Sequence, residues 1–202
     1  MNEKLYNKAT KADFSKILVN KGYAYFTKGK YNLNIIGIRN AGNNVTNKFD
    51  DVIVVEYIDM YGVRSRNIFA ATTDPGITSM RNPVSIKGCA ILVPGQYRSA
   101  WKLGYHKGKY EAVVQYKPVD VYRDSNRDEI YDFIPKTVEE GTFGINIHKA
   151  GEHSTLVNNW SAGCQVFANK EDFEKFMKLV HYQISQGHGK LFTYTLINEE
   201  DL

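Results

Sequence analysis

Cysteine is scarce in the 202-residue chain: Cys89 and Cys164 are the only two. They could form at most one disulfide, which excludes a disulfide-stapled scaffold and a cysteine-rich zinc site. Long apolar runs are missing too, since no stretch approaches the ~18 apolar residues of a membrane span. Residues 1–14 are polar and lack the apolar run of a secretory signal. No dense Lys/Arg block occurs, and the formal charge of +4 is spread along the chain. Such a bias helps approach to any anionic polymer and selects none. Repeats, low-complexity linkers, phosphate-cradling glycine loops and a His-Glu-x-x-His metal helix are all absent. Neither nucleic acid nor a membrane is therefore an expected partner, and no cofactor is expected.

What is present is aromatic and β-branched. The 14 Tyr and 10 Phe favour strands. Candidate strands run over 34–38, 52–58, 63–72, 86–93, 110–116, 119–122 and 191–197, with turns at Met60-Tyr61-Gly62, Asp74-Pro75-Gly76 and Pro94-Gly95. The 52–58 run is apolar enough for burial on both faces. Near the start, Phe14, Ile17 and Leu18 mark a short helix that Gly22 ends. The expected organisation is a helical N-terminal extension over 1–30, packed on the domain that 31–202 forms.

Two further segments matter for chemistry. Over 142–148, Phe143, Ile145 and Ile147 alternate with Gly144, Asn146 and His148, so Asn146 and His148 point away from the core side. Over 170–185 the spacing predicts a helix, with Asn169 as N-cap, Glu171 and Asp172 in the first turn, and an apolar stripe of Phe173, Phe176, Met177, Val180 and Ile184.

Cys89 stands in the apolar run Gly88-Cys89-Ala90-Ile91-Leu92-Val93 and reads as a small buried hydrophobe. Cys164 stands in Ser161-Ala162-Gly163-Cys164-Gln165-Val166-Phe167, downstream of His148. A thiol attacks only as thiolate and needs a base, which a strand-borne His supplies rigidly. The glycine before the cysteine lets backbone N–H groups face a developing oxyanion. Either residue alone is more often structural; the combination is more specific.

His148 followed by Ser161-x-Gly163-Cys164 resembles the active-site signature of the L,D-transpeptidase (YkuD-like) catalytic domain, and the likeness covers mainly 141–167. It implies a mainly β (α+β) domain of mixed or antiparallel sheets with a helix after the cysteine. It further implies Cys164 as nucleophile, His148 as base, and Gly163, Ser161 and Asn146 as oxyanion or supporting positions. The family's second His is Ala162 here, and its Arg after the cysteine is Val166. A planar Arg anchors a carboxylate in a way that Val cannot. The pattern is that of a divergent, phage-type member.

The expected function is accordingly a cysteine-dependent enzyme acting on peptidoglycan stem peptides through a thioester, as a bacteriolytic hydrolase of endolysin or tail-lysin type or as a transpeptidase. The alternative is an inactive virion or cell-wall glycan-binding protein. With no signal recognised, synthesis in the cytoplasm and delivery to the wall by phage lysis, virion or non-classical export is expected. A papain-like peptidase would place Cys before His, the reverse of the order here.

Lesser candidates complete the reading. Gln165, His153, Trp160, Arg98 and Trp101 are candidate substrate contacts; the stretch from Pro94 to Tyr110 mixes aromatics with cations, which could stack sugar rings or a nucleic-acid strand or be half-buried packing. Asn158 and Asn159 could orient His148, or be turn residues. Asp124, Asn126 and Asp128 have the alternating oxygens of a calcium loop, although Glu129 stands where an EF-hand needs Gly; the default is a solvated turn. If Cys164 and His148 couple, an imidazolium–thiolate pair is expected well below the free thiol pKa.

Overall fold

The computed structural model describes residues 2–202. The chain is mostly β, with 37% strand against 21% helix, and its sheet is mixed. Eight strands close into a barrel: β1 (Asn34–Arg39), β2 (Asp51–Ile58), β3 (Arg64–Thr72), β5 (Gly95–His106), β6 (Tyr110–Gln115), β9 (Ile147–Lys149), β10 (Gln165–Phe167) and β11 (Leu191–Asn198). Around it they run β1-β11-β5-β6-β9-β10-β3-β2, with β1/β11 and β9/β10 parallel and the rest antiparallel. A three-stranded sheet joins β4 (Cys89–Leu92), β7 (Val119–Asp124) and β8 (Glu139–Gly141).

Strand β2 shows why its sequence is apolar throughout. Ile53 and Val55 join the main core; Val52 and Val54 pack on the other face with Leu5, Ala9, Phe14 and Leu18. Those last four come from α1 (Glu3–Lys11) and α2 (Phe14–Asn20). Asn2 caps α1 and Asp13 caps α2, each side chain accepting a backbone N–H. The guanidinium of Arg66 donates to the carbonyls of Ala9, Thr10 and Ala12 and pairs with buried Glu56, satisfying the acceptors where α1 ends. The N-terminal pattern therefore yields two helices where one was expected.

Helix α4 (Lys170–Ser185) has Asn169 as N-cap, and its stripe of Phe173, Phe176, Met177, Leu179 and Val180 joins the main core. The short helix α3 (Ile77–Arg81) follows Gly76.

Two differences from the expected strands bear on the site, besides β4 covering only Cys89–Leu92 of the 86–93 run and β8 and β10 being unexpected. Of the 142–148 segment only Ile147 and His148 lie in a strand, β9, because Gly144 adopts φ +73° and breaks the pleat. The alternation nonetheless holds, since Ile145 and Ile147 are core residues. Strand β5 is the second: the mixed 97–106 stretch is one long strand, and Lys107 and Gly108, both at positive φ, turn it into β6. Among the described residues no helix is long and apolar enough to cross a membrane.

Candidate active site

Strands β9 and β10 lie side by side in parallel, with Gln165 opposite Ile147 and Val166 opposite His148. Ile147 and Phe167 point into the main core. Alternation turns His148, Val166 and Cys164 to the outer face. There Cys164 packs against a separate cluster of Phe49, Ala70, Ala150, Val157, Val166 and Ala168. The same register, one step back, sets Cys164 beside Asn146, whose backbone carbonyl accepts from Gln165 N at 2.9 Å and whose N–H lies 3.5 Å from Cys164 Sγ. Cys164 and His148 are thus diagonal neighbours on one face of a strand pair.

The segment before the cysteine is held tightly. Ser161 is fully buried; its hydroxyl donates to Cys164 O at 2.8 Å and accepts from Gly163 N at 3.2 Å. Gly163 has φ +117°, and a Cβ there would meet Ala90 O at 2.1 Å, so only glycine fits. Further out, Asn47 pins the loop, accepting from Asn158 N and Ile77 N and donating to Asn158 Oδ1.

His148 is buried, at 2% exposure. Its Nδ1 lies 2.8 Å from Lys149 O, which also accepts from the Tyr110 hydroxyl at 3.2 Å. A carbonyl cannot donate, so Nδ1 carries the proton and Nε2 presents a bare lone pair. That Nε2 is buried and without a partner among the described residues. Burial, helped by His106 and Lys107 and opposed by the bond to Lys149 O, pushes the imidazole pKa down to about 3. Burial likewise pushes the Cys164 thiol up, opposed by the Asn146 N–H and by Lys107. The residue as a whole keeps partial exposure.

Burial thus disfavours both the thiolate and the imidazolium, the direction opposite to an imidazolium–thiolate pair. The Cys164 thiol donates to Gly144 O at 3.4 Å and makes no hydrogen bond to His148.

Several expected contacts lie elsewhere. The Gly163 N–H donates to Ser161 and is not free for an oxyanion, whereas the Cys164 N–H has no protein partner among the described residues. The Asn146 side chain is occupied by Gln115 N and His106 Nδ1. Gln165 is wholly buried; its side chain bonds Thr73 O, Gly163 O and the Tyr194 hydroxyl and cannot meet a substrate. Trp101 is also fully buried, its indole N–H on Ile145 O, because β5 alternation turns it inward. Arg98 lies over the Phe26 ring, tied to the N-terminal segment.

His153 is exposed and bridges to Asn169, and Trp160 is partly exposed on the same loop. Asn158 bonds Asn47, while His148 is oriented by Lys149 O. Around the supposed calcium loop, Asp124 accepts from Asp132 N, Asn126 from Asp128 N, and Asp128 from Ile130 N. The Asn126 and Asp128 oxygens close turns, and Asp124 keeps a buried Oδ1 without a partner among the described residues; among the described residues no group of three His, Cys, Asp or Glu could hold a metal. His106 and Tyr110 line the site; in the sequence they stand only within the mixed aromatic and cationic stretch, with no role beside the cysteine, and the Lys107-Gly108 turn sets them opposite each other.

Comparison with family models, curated proteins and solved structures finds no match for this chain.

Proposed function

We propose that this chain is a cysteine-dependent enzyme acting on peptidoglycan stem peptides, L,D-transpeptidase-like, working through a thioester as a hydrolase or a transpeptidase. The observation that carries the enzymatic reading is that the partly exposed Cys164 shares one face of the β9/β10 pair with His148, whose Nε2 is buried and unpartnered among the described residues. The substrate class rests on the resemblance of His148 and Ser161-x-Gly163-Cys164 to the family signature.

In this mechanism Sγ attacks a stem-peptide carbonyl while its proton passes to His148 Nε2. The imidazole is neutral and can accept that proton, and the burial that keeps it neutral also weakens it as a base. The Cys164 N–H supports the oxyanion. His148 then protonates the leaving amine and a thioester forms. Water resolves it in hydrolysis; an acceptor amine resolves it in transfer.

Incubating sacculi or purified muropeptides with wild-type protein and with Cys164→Ala, and reading products by mass spectrometry, tests this. A gain of water marks hydrolysis, and new crosslinks or exchanged amino acids mark transfer. Identical product profiles from the two proteins would sink the enzymatic reading and favour a glycan-binding protein.

A further inference from the structure

His148 does not stand alone. His106, the last residue of β5, is buried and lies face to face with it, ring centroids 3.9 Å apart and planes within 21°. Asn146 fixes how His106 is protonated. Its Oδ1 accepts the Gln115 backbone N–H at 3.0 Å, so its Nδ2 is the atom facing His106 Nδ1 at 3.1 Å. An amide NH₂ only donates; His106 Nδ1 is an acceptor and the proton sits on its Nε2. The same Asn146 aims its backbone N–H at Cys164 Sγ. Tyr110, paired with His106 across the hairpin, bonds the carbonyl that orients His148.

We propose that His106 is a positioning residue of the Cys164–His148 site, acting through His148: it supports that ring while neutral and disables it on gaining a proton. This rests on Cys164 as nucleophile and His148 as base, and not on the identity of the substrate.

Attack moves a proton from Sγ to His148 Nε2, which creates an imidazolium in a buried place. A neutral aromatic ring stacked on it stabilises that cation through its π face. A protonated ring at the same distance repels it. The groups packed against His148 are His106 and Tyr110, with Lys107 near; those packed against His106 are His148, Tyr110 and Asn146, with Lys107 and Lys109 near. Both lysines oppose protonation of His106, as does its burial. His148 is the more deeply buried of the two. A proton taken up by His106, the less buried ring, then sets a charge against His148 and lowers the reactivity of Cys164.

The test is the rate of Cys164 alkylation by iodoacetamide between about pH 4 and 8, read by mass spectrometry. In wild type the rate is expected to fall with pH more steeply, over the range where His106 gains its proton, than the roughly tenfold per pH unit that ionisation of the thiol alone gives. His106→Phe keeps the stacked ring and removes the titration, so its profile should lose that extra steepness. A variant profile as steep as wild type overturns the proposal. Should that variant not fold, NMR titration of the wild-type histidines decides: His106 and His148 should titrate as a coupled pair, and two independent single-step curves overturn the proposal. Alkylation needs no substrate, so a failure on peptidoglycan leaves this result standing. A wild-type Cys164 no more reactive than Cys89 overturns both readings together.

Discussion

Position 163 accepts one residue type for two separate reasons. Its φ of +117° disfavours any L side chain, and a Cβ would collide with Ala90 O. Gly163→Ala should destabilise the protein by at least about 1 kcal/mol and displace Cys164, since Ser161 ties the two backbones together. Thermal melts and the Cys164 alkylation rate measure the two effects. A variant with wild-type melting and wild-type reactivity would contradict the close contact. Beside it, His148 carries the kinetic role. His148→Ala should slow alkylation of Cys164 near neutral pH by about a hundredfold. Cys89 serves as the internal control: it is buried, its Sγ bonds Ser79 O, and desolvation pushes its thiol up to about 12. A Cys164 rate unchanged in His148→Ala would remove His148 as the base.

Among the elements, the loop between β9 and β10 decides where the cysteine sits. Asn47 holds it by accepting from Asn158 N and donating to Asn158 Oδ1, and ties it to α3 by also accepting from Ile77 N. Asn47→Ala leaves Asn158 N and Ile77 N without that acceptor and should cost about 1–2 kcal/mol. Hydrogen exchange should speed up over 157–163 while β1 and β2 stay protected; uniform acceleration everywhere would mean that the loss is global. The α4 helix was legible because its cap, its charged first turn and its stripe all agree. The β5 strand was not, because Pro94-Gly95 reads as a stop and interleaved lysines and tyrosines read as surface. Its inward residues, Trp101 above all, are recognisable only once β6 and β11 flank it.

For the molecule as a whole, closure depends on the parallel pairing of β1 with β11, from opposite ends of the chain. Deleting 191–202 would leave β1 and β5 with free edges and open the core. Loss of the near-ultraviolet circular dichroism signal and of cooperative melting is expected; a truncated chain that melts like wild type would show that β11 is dispensable. Acidity acts on the fold through His148. Its folded pKa of about 3 lies below the ordinary value near 6.5, so the unfolded chain binds the proton first as pH falls. The stability tied to neutral His148 is complete above about pH 6.5 and is lost progressively toward pH 3, on the order of a few kcal/mol. Buried Asp51 has the opposite sign. Desolvation, with Asp74 and Asp50 adding to it, raises its pKa to about 8, so its contribution is complete at low pH and fades as pH rises toward 8. The stability difference between wild type and His148→Gln, measured by denaturant titration across pH, isolates the first effect. A difference that does not shrink between pH 6.5 and 3 would show that His148 is not held neutral by burial.

Local pattern alone determined the mainly β character, the bounds and cap of α4, the burial of β2 on both faces, and the outward direction shared by Asn146 and His148. Each follows from a period of two or 3.6 residues, or from a cap whose partners lie within a few positions. Only the tertiary structure decided that the strands close into a barrel, that Gln165 and Trp101 are interior, and that His106 covers His148. Those facts depend on which distant strands pair and in what register, and side-chain periodicity carries no information about the partner. The protonation state of Cys164 and His148 belongs to the second group for the same reason: desolvation is set by everything packed around a group, and their neighbours come from strands far apart in the chain.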